Sequence, residues 1–62
     1  MSTELEIRER QKDRLQELLN IKKSVKDLEI PKLDEAIERA VVRMSQEDIA
    51  WVEKIVGIKA IG

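Results

Sequence analysis

Reactive side chains are scarce in this 62-residue chain. It has no His, Cys or Tyr, so the available nucleophiles and bases are Ser2, Thr3, Ser24, Ser45, the lysines and the carboxylates. Ser24 stands close to Lys22, Lys23 and Lys26, the ingredients of a Ser–Lys pair. Such a pair needs a water-excluding cleft to hold the amine neutral, and a charged stretch of helix offers none. Glu35 with Glu38, and Glu47 with Asp48, are acidic pairs. They lack the Glu-x-x-His spacing of di-iron bundles and the twelve-residue calcium loop. Acids near helix N-termini, complementing the helix dipole, are the simpler reading. Gly57 and Gly62 are the only glycines, so no Gly-rich phosphate loop can form. The expectation is a protein that is not an enzyme and uses no cofactor or metal.

Charge chemistry is richer. Arg8, Arg10, Lys12 and Arg14 form one basic segment, and Lys22, Lys23 and Lys26 form a second. Both are candidate nucleic-acid contacts. Against that reading, Glu9 and Asp13 interleave with the first segment, and the net charge is −1. A strong general field toward nucleic acid or an anionic membrane is therefore not expected. The segment around Ser45 has the outline of a helix-turn-helix, but its second helix opens with Glu47 and Asp48 and carries Glu53. Those carboxylates would repel phosphates. Nucleic-acid binding is kept as the alternative function.

The elements that hold these groups are helices. Thr3-Glu4-Leu5-Glu6 matches a capping box, and no Gly or Pro follows until Pro31, which predicts a first helix over 3–29, roughly 40 Å long. Ile7, Gln11, Arg14, Leu18, Ile21, Val25 and Leu28 fall on the alternating three- and four-residue steps of a heptad seam. Leu15 and Leu19 widen that face. The polar layer of Gln11 and Arg14 would set register in an oligomer, or line a small-ligand pocket between subunits. Two facing arginines there would need an anion or a partner carboxylate. Pro31 forces Ile30 into extended backbone and opens a second helix, 31–44. Ser45 caps a third, 46–56, which Gly57 ends, leaving an apolar tail at 57–62.

Size then decides the architecture. A chain of 7.2 kDa buries only about 60% of its unfolded surface. Without disulfides or a metal, oligomerisation is the leading remaining support. The expected fold is all-α: a helical hairpin with a long first helix and a broken second arm made of the two shorter helices. It should assemble into a homodimer or a higher helical bundle. The apolar residues are almost entirely aliphatic, with Trp51 the sole aromatic. The third helix is apolar over more of its circumference than one contact needs, so Val42, Trp51, Ile55, Ile58 and Ile61 are the candidate contacts for a larger protein. The function expected is a non-catalytic, self-associating interaction module, a small regulator or inhibitor. No stretch resembles a signal peptide or a membrane span, so the expected setting is cytoplasmic, with no membrane partner.

Overall fold

The computed structural model describes residues 3–25 and 27–60; Met1, Ser2, Lys26, Ile61 and Gly62 lie outside them. The described residues form three helices and no strand: α1 (Glu4–Ser24), α2 (Pro31–Val42) and α3 (Gln46–Val56). None of these helices is long and apolar enough to cross a membrane.

Local chemistry sets most of the boundaries. Thr3 is extended, and its hydroxyl accepts the Glu6 N–H at 3.2 Å. Ser45 repeats the arrangement for α3, accepting the Asp48 N–H at 3.2 Å. Each hydroxyl satisfies one of the amides that a helix start leaves without an intrahelical partner. Ile30 is extended (φ −122°, ψ 94°), as the residue before Pro31 must be. Gly57 ends α3 in the left-handed region at φ 90°, where a side chain would be strained.

Thr3 caps α1 from outside it, and two helix ends differ from the sequence reading. α1 stops at Ser24 rather than at residue 29, and α2 stops at Val42 rather than at 44. The first difference has a steric cause. A helix reaching 29 would leave only Ile30 to reverse the chain and cross to α2, whereas helix–helix connections commonly take two to eight residues. The Ser24 hydroxyl assists the stop by donating to the Asn20 carbonyl at 3.1 Å. Val25 and Leu28 consequently belong to the connection and drop out of the helical seam. At the end of α2 the Arg43 and Met44 amides bond back three residues, to Ala40 and Val41, tightening the last turn.

The broken second arm is also corrected. Lys22 and Asp34 pair at 3.6 Å, joining the end of α1 to the start of α2, so α2 returns antiparallel to α1. α3 then reverses again. Its start meets α1 at Arg8–Asp48, 3.0 Å, and its end at Lys23, whose ammonium donates to the Val56 carbonyl at 3.1 Å. α3 therefore runs parallel to α1 instead of extending α2. Twelve residues of α2 already cover roughly 18 Å, enough to come back to the level of Arg8. A continuation would run past the end of α1 with its apolar side uncovered, and reversal lets Val52 and Val56 reach the core.

That core lies among the three helices. Leu15 and Leu19 of α1, Ile37 of α2 and Val52 of α3 are fully buried. Leu18, Val41, Met44, Val56 and Ala60 complete the cluster. Ala60 brings the start of the tail into it, and its amide donates to the Glu53 carboxylate at 2.7 Å. Ala60 is thus held by one hydrogen bond as well as by apolar contact.

Candidate interaction surfaces

Two helices pack on α1, and their positions split its heptad seam. The inward stripe of α1 centres on Leu15 and Leu19, with Arg8 and Lys12 on the α3 side. Leu18 is buried and Gln11 half-buried toward α2. Ile7, Arg14 and Ile21 lie at the outer edge; the two isoleucines are 46% and 47% exposed. These three, seven residues apart, are thus left partly exposed. Leu28, in the connection, is also exposed.

The first basic segment divides in the same way. Arg8 clasps Asp48 with two hydrogen bonds, Nε to Oδ2 at 3.1 Å and Nη2 to Oδ1 at 3.0 Å. The arginine fork holds the Asp48 carboxyl below the usual carboxylate range, against a desolvation that pushes it upward. Asp48 is the one buried charged residue of the described chain. Lys12 lies over the Trp51 ring, with Nζ 4.8 Å from its centroid. Lys22 and Lys23 are also engaged, by Asp34 and by the Val56 carbonyl. Arg10 and Arg14 turn toward the far end of α2, and there they meet Arg39 and Arg43.

These four arginines line a groove of about 560 Å³ between α1 and α2. Ile7, Ala36 and Ala40 supply its apolar surface, and Gln11 supplies an amide. No carboxylate among the described residues lines it. Among the described residues the ion pairs are Arg8–Asp48 and Lys22–Asp34, and none of the four guanidiniums takes part in them. Guanidiniums carry their charge at any physiological pH and present a rigid fork suited to carboxylate or phosphate. Gln11 and Arg14, the polar layer of the seam, line this groove within one chain. The sequence reading missed Arg39 and Arg43 as site residues. Their signal was present: both follow the small Ala36 and Ala40 on one flank of α2 at helical spacing.

A second surface lies on α3. Trp51 and Ile55, one turn apart, are 49% and 50% exposed. Val42 is well exposed at the end of α2, whereas Ile58 is half-buried and packs on the core. Ile58 is therefore a supporting residue of the core and not a free contact, while Ile61 lies outside the described residues. Ser24 is exposed, with its hydroxyl bonded to Asn20, and no cluster of three or more potential metal-ligating side chains occurs among the described residues. The chain matches no protein family, no curated protein and no solved structure.

Proposed function

We propose that this chain is a non-catalytic, self-associating protein-interaction module, a small regulator or inhibitor of a larger protein acting in the cytoplasm. The observation that carries the reading is the half-exposed Trp51–Ile55 pair on α3. Trp51 is the chain's only aromatic, and a core short of large side chains would gain most by burying it. Instead Lys12 lies over the ring, and the residue stays 49% exposed. A tryptophan already oriented by a cation–π contact loses little freedom on docking, and Trp is enriched among residues that dominate binding energy.

The test compares what the wild type and Trp51→Ala retain from the source cytosol, with melting temperature followed in parallel. A protein retained by the wild type and lost by an equally stable variant supports the reading. A variant that unfolds returns Trp51 to a structural role.

Nucleic-acid binding is a second reading, and the four-arginine groove is the observation that favours it. Duplex DNA is wider than the groove and would bring phosphates onto its flanks. On one flank stand Glu6, Glu9, Asp13 and Glu17 of α1; on α2 stand Glu35 and Glu38. Absence of retention on DNA or RNA at roughly 50 mM salt, where non-specific binding is strongest, removes this reading. The same groove could instead hold a small anion such as a polyphosphate, which would raise the melting temperature on addition.

A further inference from the structure

We infer that the arginine groove between α1 and α2 is filled by α1 of a second copy, in a dimer whose two first helices run parallel. The inference rests on the self-association reading above and gives it a surface, an orientation and a set of charge partners.

The chain exposes 5078 Å². A compact monomer of this mass exposes roughly 4,100 Å². The surplus, on the order of 1,000 Å², is comparable to the roughly 800 Å² that each partner contributes to a standard interface. Exposed apolar surface lies along the outer seam of α1, where Ile7 and Ile21 stand half-exposed on either side of Arg14. Beside it is the groove, with its four guanidiniums and no acid among the described residues.

Charge identifies the occupant. On the outer side of the seam, α1 carries Glu6, Glu9, Asp13 and Glu17, all exposed and all within one arc of the helix at three- and four-residue steps. None of the four forms an ion pair within the described chain. Across the surface the order is therefore carboxylate stripe, then the seam, whose Ile7 and Arg14 together with Arg10 form the α1 wall of the groove, then Arg39 and Arg43 of α2. The stripe occupies the same levels of α1 as the groove, residues 6–17 against 7–14.

A twofold axis can relate two such surfaces in two ways. With the axis perpendicular to α1 the helices run antiparallel, and each groove faces the other groove, massing the arginines of both copies. With the axis along α1 the helices run parallel, and the lateral order is reversed between copies. Each carboxylate stripe then lies over the other copy's arginine groove, twice over by symmetry. Seam residues meet their own counterparts, Ile7 on the partner's Ile7 and Ile21 on the partner's Ile21. Arg14 enters a hole bordered by the partner's Asp13 and Glu17, which supplies the carboxylate that two facing arginines need. Only the parallel arrangement neutralises the groove.

The experiment is sedimentation of the full chain across a concentration series, at roughly 50 and 500 mM salt. The expected result is a dimer that weakens as salt screens the rim charges. Arg39→Glu with Arg43→Glu, and separately Glu6→Lys with Asp13→Lys and Glu17→Lys, should each weaken the dimer by about tenfold or more. All five positions are exposed, and circular dichroism confirms that the variants remain folded. Mixing the two variants should restore a one-to-one dimer, because each groove then faces a stripe of opposite sign.

Orientation is read independently with Ile7→Cys, in a chain that has no cysteine of its own. Parallel helices bring the two new thiols within disulfide reach on oxidation. An antiparallel pair centred on Arg14 holds them roughly 21 Å apart. A wild type that stays monomeric, a dimer indifferent to both charge reversals, or an Ile7→Cys dimer that does not cross-link would each overturn the proposal. Tight, salt-sensitive retention of DNA by a monomer would do so as well and assign the groove to nucleic acid. A monomer that still loses a partner through Trp51→Ala would sink the dimer and leave the interaction-module reading standing.

Discussion

At the scale of single residues, Asp48 joins the first helix to the third. Its carboxylate receives both Arg8 donors, while its own amide donates to the Ser45 hydroxyl that starts α3. Because Arg8 depresses the folded pKa of Asp48 below the roughly 3.9 of an unfolded aspartate, the direction of pH linkage is fixed. The clasp contributes its stability fully above the unfolded value and loses it as pH falls from there through the depressed folded value. Asp48→Asn is expected to lower the melting temperature at pH 7 and to flatten the decline seen on acidification below about pH 4. Melting curves across pH 2–7 for both proteins check this, and an unchanged acid decline would rule the clasp out as its source. Ser45→Ala removes the cap itself and should cost about 1 kcal/mol. A shift in the urea midpoint with an unchanged slope reads it.

At the scale of elements, the stop at Gly57 carries a comparable weight. A Cβ added there would meet only the Lys23 ammonium, at 4.0 Å, which is ordinary contact. The cost of Gly57→Ala is therefore backbone strain at φ 90°, about 1–2 kcal/mol. Urea unfolding should show that loss, and a neutral result would mean the turn readjusts out of the left-handed region. Such local devices were legible in the sequence: the Thr3 and Ser45 caps, the extended Ile30 before Pro31 and the Gly57 stop each depend on neighbours within a few residues. What was not legible depends on distance. Nothing local to Ser24 announces that the chain must begin crossing to α2 there. The same holds for α3, whose direction is set by contacts between residues 40 and 33 positions apart, Arg8–Asp48 and Lys23–Val56. A heptad read as one seam proved to be two half-seams, because α1 has two neighbours and their angle decides which residues turn inward. For the same reason Arg10 and Arg14 could be named from α1, but their convergence with Arg39 and Arg43 could not.

At the scale of the whole molecule, the core is small for the surface it must hold together. Nine buried apolar residues form it, and domains of this size rarely gain more than about 3–5 kcal/mol from such a core. Truncating one of its fully buried leucines, Leu19→Ala, costs about 2–5 kcal/mol, which is of the same size as the entire reserve. That variant should therefore be largely unfolded when dilute. The proposed self-association would change the outcome by mass action, since a partner that binds only the folded chain adds about 2.7 kcal/mol once its concentration is a hundredfold above the dissociation constant. Leu19→Ala is consequently expected to regain helix as the protein is concentrated, with a melting temperature that rises over a hundredfold concentration range. Adding Arg39→Glu and Arg43→Glu should abolish that rise without touching the core, because both side chains are exposed and line the groove. Circular dichroism melts of the two proteins over the same range decide it. If Leu19→Ala melts at one temperature whatever its concentration, the three helices sustain themselves alone and no second copy contributes to the fold.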